Sequence, residues 1–197
     1  AWKVTIGGAP VVVLRCGVGL VNAAAAVADA ASILTPRAII SVGTAGGLAE
    51  GIYIGDVVVG TSFTYSDADA TAFGYVPGQV PGMPPYYEAD PAMVHLGTRA
   101  RTDGQRIWPG KIVSGNTFVT AETVHAVRST FPGTMAADME TAAVAQTAYL
   151  LGIPFVAVRG ISDLCGPDAG HDFVIALDEV AERAASVVRE MVRGLRK

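Results

Sequence analysis

Two carboxylates flank a methionine at Asp138-Met139-Glu140, and a third stands in Ser162-Asp163 after an apolar run. Such groups can move a proton or hold the hydroxyls of a sugar, provided that their surroundings tune their pKa to the task. At helical φ/ψ, residues two apart point in different directions, so Asp138 and Glu140 are read as serving separate tasks. Either can equally be an acid complementing a helix N-terminus, and Asp163 can equally cap the next segment. Glycine clusters add a second ingredient. Gly17-Val18-Gly19 and Gly43-Thr44-Ala45-Gly46-Gly47 let backbone amides approach an anion or a ribose, or form no more than tight turns.

Other chemistries find no support. Gly17-x-Gly19 starts like a dinucleotide fingerprint, but Asn22 holds the third glycine position and no acid near Ser41 would grip a ribose. Asp67 and Asp69 look like part of a calcium loop, yet Gly78 occupies the place of the bidentate acid. His95, His125 and His171 have no metal-ligand spacing, and no G-x-S-x-G elbow occurs. No metal and no cofactor is expected.

These residues need a scaffold. Apolar runs at Val11–Leu14, Ala38–Val42, Asp56–Gly60, Lys111–Val113 and Phe155–Arg159 predict strands, the first of them buried. Helices are predicted at about Val21–Leu34, Met139–Leu150 and Ala176–Leu195. The alternation predicts an α/β fold: one domain over residues 1–197, a mixed, mostly parallel central sheet flanked by helices. In such sheets ligands bind beyond the carboxyl ends of the strands. The Gly17, Gly43 and Ser114-Gly115-Asn116 clusters and Ser162-Asp163 all come after strands, which together describe a small-molecule pocket. The stretch from Tyr65 to Tyr87 has neither period and is rich in glycine and proline. It is read as a lid, a partner-contacting loop or a self-packed surface loop exposing Phe73, Tyr75, Tyr86 and Tyr87.

Composition narrows the class. With 197 residues, 51% hydrophobic and 16% charged, the chain can bury a substantial core. A net charge of −4 argues against nucleic acid as a partner. The basic residues Arg183, Arg189, Arg193, Arg196 and Lys197 are read as complementing the C-terminal end of the last helix. The uncharged run from Thr141 to Val158 is broken by Gly152-Ile153-Pro154, so no membrane span is expected. Cys16 and Cys165, far apart, read as reduced thiols of a cytoplasmic protein.

The motifs taken in order are more specific than any one of them. Ser41-Val42-Gly43-Thr44-Ala45-Gly46-Gly47, Ile54-Gly55-Asp56-Val57-Val58-Val59, Asp67-Ala68-Asp69-Ala70-Thr71-Ala72-Phe73-Gly74-Tyr75, Ser114-Gly115-Asn116-Thr117-Phe118, Ala137-Asp138-Met139-Glu140 and Val158-Arg159-Gly160-Ile161-Ser162-Asp163 succeed one another. The chain resembles the 5′-methylthioadenosine/S-adenosylhomocysteine nucleosidase family, of nucleoside phosphorylase-like fold, over essentially its whole length. The resemblance implies a homodimer that cleaves the N-glycosidic bond of adenine thionucleosides with water. It implies Asp163 as general acid to the leaving adenine, oriented by Ser162. Glu140 would hold the ribose hydroxyls and Met139 would pack on the sugar. Phe118 would stack on the purine, whose edge the Val119 backbone would read. Thr44, Ala45 and Gly46 would line the ribose and base, while Val18 and Phe173 would shape the pocket. Phe73, Tyr75 and Pro81 match the loop lining the 5′-alkylthio pocket, partly across the dimer interface.

Phosphorylases of this fold carry an arginine at the place of Ser41, whose bidentate fork binds phosphate; its absence here favours water as the nucleophile. Related enzymes accept aminodeoxyfutalosine with the same motifs. A phosphorylase and a non-catalytic nucleoside-binding relative stay open beside these hydrolases. Three departures stand out. The family's N-terminal strand, with the glutamate that activates water, precedes the residues present here, so a missing N-terminal segment is expected. Ser66 stands in place of a histidine, and Asp138 in place of a glutamate.

Overall fold

β-branched and alanine-rich runs with little charge form a core sheet, and the helices between them return the chain along its faces. The computed structural model describes residues 1–102 and 104–195, with residues 174–176 described by backbone alone. In chain order the elements are β1 (Trp2–Ile6), β2 (Ala9–Val13), α1 (Leu20–Ile33), β3 (Ile39–Gly47), β4 (Val57–Tyr65), β5 (Tyr87–Glu88), α2 (Pro91–Thr98) and β6 (Ile107–Ser114). Then come α3 (Val124–Thr130), β7 (Thr134–Asp138), α4 (Thr141–Leu151), β8 (Phe155–Asp163) and α5 (Ala169–Gly194).

Strands β5-β4-β6-β7-β3-β8 form one sheet, and β4 also pairs with β8. That extra pairing closes β4, β6, β7, β3 and β8 on themselves like a barrel, leaving few edges unpaired. Parallel pairings join β3 to β8, β4 to β6 and β6 to β7. The antiparallel ones are short. The predicted mixed, mostly parallel α/β sheet is therefore present.

The first predicted strand is corrected. The sequence predicts Val11–Leu14 as a buried strand, but among the described residues β2 pairs with β1 alone, in a separate two-stranded hairpin with Val12 and Val13 exposed. A short apolar run does not by itself reveal which surface covers it. β3 and β8 both run further than predicted, so Gly43–Gly47 and Ser162-Asp163 are strand, not turns after a strand. Helix α5 starts at Ala169, seven residues before Ala176. Tyr87, expected exposed, is buried in β5, its ring edge-on to Tyr149 at 5.7 Å. Arg183, Arg189 and Arg193 pair with Glu179, Glu182 and Glu190 along α5, while Arg196 and Lys197 lie outside the described residues.

Every residue of β8 is buried. Helix α5 lies against it because Gly160 has no side chain: a β-carbon there would stand 2.2 Å from the Val180 carbonyl oxygen. Among the described residues no helix is long and apolar enough to cross a membrane.

Candidate active site

Register brings the chemistry-bearing residues to one rim of the sheet. Gly46 of β3 lies opposite Asp163 of β8 on one side and Ala137 of β7 on the other, and Ser114 of β6 lies opposite Asp138 of β7. Between Ala45 and Gly46 the β3–β8 pairing skips a residue, so Ser162 is the extra residue of a bulge. Bulges re-aim side chains at the ends of strands, and this one sets Asp163 against the side-chain-free face of Gly46.

Asp163 is 1% exposed. Its Oδ1 accepts the Cys165 N–H at 3.0 Å, and the Ser162 hydroxyl lies 3.0 Å from Oδ2 and 3.3 Å from the Ala45 carbonyl oxygen. Burial pushes the carboxyl's pKa above its ordinary value, the bonds from Cys165 and Ser162 draw it back, and the charge of Asp172 adds to the rise. A carboxylic acid so placed can carry a proton where an exposed aspartate cannot.

Glu140 is the N-cap residue of α4, and its Oε1 accepts the Gly19 N–H at 2.8 Å. Burial raises its pKa too, against the pull of that bond. Next to it, Asn116 Oδ1 accepts the Leu20 N–H at 3.2 Å, and the Asn116 N–H donates to Asp67 Oδ2 at 2.9 Å. The Gly17-Val18-Gly19 turn is thus fastened to Glu140 and Asn116. Gly19 has a φ of +103°, which a glycine adopts without strain.

Asp138 takes the other direction, as its spacing from Glu140 predicts. Its Oδ2 pairs with Arg159 Nε at 2.6 Å in the buried interior, its Oδ1 accepts the Ser114 hydroxyl at 2.5 Å and the Thr141 N–H at 3.1 Å, and Thr141 Oγ1 donates to it as well. Arg159 Nη2 donates to Ser41 Oγ at 2.8 Å. Asp138 thereby caps α4 and anchors the turn that holds Glu140.

Phe118 and Phe173 meet edge-on at 5.9 Å, forming an aromatic pair from the β6–α3 segment and α5. Val119 packs against the buried cluster that includes Leu48, Val113 and Cys165. Met139 is half-buried between the two acids, Thr44 and Ala45 precede Gly46 in β3, and Val18 is exposed in the glycine turn. Phe73, Tyr75 and Pro81 belong to the segment between β4 and β5. They sit on the long loop, which Thr64 Oγ1 fastens by donating toward the carbonyls of Gly78 and Pro85, each at 3.0 Å. Phe73 is 83% exposed, and among the described residues none of the three makes a hydrogen bond or ring contact with Asp163, Glu140 or Phe118.

Asn116, of the predicted pocket cluster, is brought into this site, while Arg159 and Cys165 carry parts of it to which their place in the sequence assigns no role. A lone charge inside the apolar run Phe155–Ile161 is the visible signal for Arg159. Asp67 and Asp69 spend their carboxylates on Asn116 and Thr71, and among the described residues no group of three His, Cys, Asp or Glu side chains could hold a metal ion.

Comparison with known proteins agrees with the geometry. The model of the phosphorylase superfamily matches residues 1–193. The 5′-methylthioadenosine/S-adenosylhomocysteine nucleosidase of Desulfotalea psychrophila is 40% identical over 195 residues, 98% of this chain and 83% of that protein. The chain belongs to this nucleosidase family. The crystal structure of the Neisseria meningitidis nucleosidase with methylthio-immucillin-A superposes with a TM-score of 0.94 at 39% identity, covering 98% of this chain and 84% of that one. A more distant member of the superfamily, the futalosine hydrolase of Helicobacter pylori, matches with a TM-score of 0.89 at 25% identity, over 96% of this chain and 82% of that one. The resemblance carried by the motifs is therefore a family membership.

Proposed function

We propose that this nucleosidase hydrolyses the N-glycosidic bond of 5′-methylthioadenosine and S-adenosylhomocysteine, releasing adenine. The observation that carries the reading is Asp163: a buried carboxyl with a raised pKa, held against Gly46 at the end of β8. Adenine leaves poorly as an anion, so protonation of a purine ring nitrogen by Asp163 drives cleavage, an effect of roughly 10²- to 10⁴-fold. As the bond to the sugar lengthens, positive charge grows on the ribose, and Glu140 beside it holds the hydroxyls and stabilises that charge. Ser162 orients the acid. Phe118 and Phe173 flank the base, with the Val119 backbone at its edge. Met139, Thr44, Ala45, Gly46 and Val18 line the sugar and base.

Water completes the reaction in place of phosphate. Ser41 stands where a phosphorylase has its arginine, and the nearby Arg159 is committed to Asp138 and Ser41. In our reading the enzyme works as a cytoplasmic homodimer in methionine salvage, with Phe73, Tyr75 and Pro81 lining the 5′-alkylthio pocket across the interface. The test is adenine release from both thionucleosides, and from aminodeoxyfutalosine, in phosphate-free buffer. Release from the thionucleosides that added phosphate does not accelerate is the expected result. Turnover of aminodeoxyfutalosine alone would move the enzyme to the futalosine hydrolase reading, and strict dependence on phosphate would make it a phosphorylase.

A further inference from the structure

Cys165 holds an unusual place beside the acid. Among the described residues it is the one non-glycine with a positive φ, +55°, a conformation that residues with a β-carbon seldom adopt without a reason. That backbone turn aims the N–H at Asp163, reaching Oδ1 at 3.0 Å, and sets the thiol in the space beside the same carboxyl. Gly46 makes the room. A β-carbon there would stand 2.5 Å from the Cys165 sulfur and 3.0 Å from Asp163 Oδ1, so sulfur and carboxyl share the gap that the glycine leaves. The thiol is 1% exposed and is held protonated, its pKa pushed up to about 12 by burial and by the charge of Asp163.

We infer that Cys165 is a positioning residue for the general acid: its thiol donates to Asp163, fixing the carboxyl against Gly46 and setting the pH at which the acid gives up its proton. The inference rests on Asp163 being the acid proposed above. Ser162 acts on Asp163 from the same strand. From neighbouring elements, Asp172 of α5 opposes its negative charge, and Arg128 of α3 acts on the thiol. A donor to the carboxylate favours its charged form, so removing the donor raises the pKa of Asp163 further.

The experiment is the pH profile of kcat/KM for 5′-methylthioadenosine in wild type, Cys165→Ala, Cys165→Ser and Asp163→Asn. Activity needs protonated Asp163, so the alkaline limb of Cys165→Ala should move to higher pH by about half a unit, the size expected of a weak donor to a charged group. Cys165→Ser, whose hydroxyl is a stronger donor, should return the limb to the wild-type position or below it. Limbs that stay together in all three active proteins, or that move equally in the alanine and serine variants, would overturn the role given to the thiol. Those outcomes beside an inactive Asp163→Asn leave the acid assignment standing. An Asp163→Asn enzyme that still turns over would overturn that assignment instead.

Discussion

At the scale of single residues, the two acids of this site differ in what holds them, and that difference can be measured. Asp163→Asn keeps an oxygen for the Cys165 N–H and an amide able to donate to Ser162, so the strand end should persist while kcat falls roughly 10²- to 10⁴-fold. Stability should respond to pH with a definite sign. The folded pKa of Asp163 is raised, so the contribution of this group is fully present below the unfolded carboxyl value of about 4 and is lost as pH rises through the folded value. Asparagine has no proton to lose. The melting temperature of Asp163→Asn relative to wild type should therefore increase from pH 4 to pH 7, and a difference that is flat or falling would show that burial does not set this pKa. Glu140→Gln is the complementary case. Glutamine still accepts the Gly19 N–H, so the glycine turn stays in place, but the negative charge proposed to face the sugar is gone. A loss of roughly 10²-fold in kcat is expected with a melting temperature at pH 7 no lower than that of wild type, since the buried Glu140 also has a raised pKa, and steady-state kinetics beside a thermal melt would check it.

At the scale of elements, the joint between β8 and α5 governs where Asp163 sits, and Gly160 is its tightest point. Alanine there would place its β-carbon 2.2 Å from backbone, which cannot swing aside, so α5 must move off the strand. Urea unfolding of Gly160→Ala should show a loss of about 1–3 kcal/mol. Gly166→Ala, with nothing within 4 Å of its β-carbon, is the control that should not. The same joint shows how far the sequence could be read. Val57–Val59 and Phe155–Val158 were legible as strands because continuous β-branched and aromatic runs suit a sheet buried on both faces. β7 was not legible, since Thr134-Met135-Ala136-Ala137-Asp138 has little β-branching and owes its strand to pairing with β6 and β3. The extension of β3 through Gly43–Gly47 was hidden for a related reason. Glycines there read as a turn, but Gly46 and Gly47 are required by Cys165 and Ile52, which fill the space beside them. Asp163 and Glu140 stood out as acids next to apolar residues, and Arg159 was visible as a lone charge in an apolar run, whereas Cys165 could be recognised only once the fold had set it beside Asp163.

At the scale of the whole molecule, the long loop decides whether one chain makes a complete pocket. Phe73 is largely exposed, on a segment that Thr64 ties down through the carbonyls of Gly78 and Pro85. A tethered loop presenting an exposed ring is suited to reaching a neighbour, which is the arrangement proposed for the homodimer. Phe73→Ala should then raise KM for 5′-methylthioadenosine, by roughly 10-fold if one buried aromatic contact worth about 1.4 kcal/mol is lost, with Asp163 still working. Mixing decides where the ring acts. Asp163→Asn chains have no acid but carry an intact loop, and Phe73→Ala chains have the acid but a truncated loop. In a mixed dimer, the site with a working acid takes its loop from the other chain if the pocket is shared. Refolding the two variants together should accordingly produce a population of sites with wild-type KM. Sites that all keep the raised KM of Phe73→Ala would place the loop over its own subunit's pocket and remove the need for a partner in catalysis.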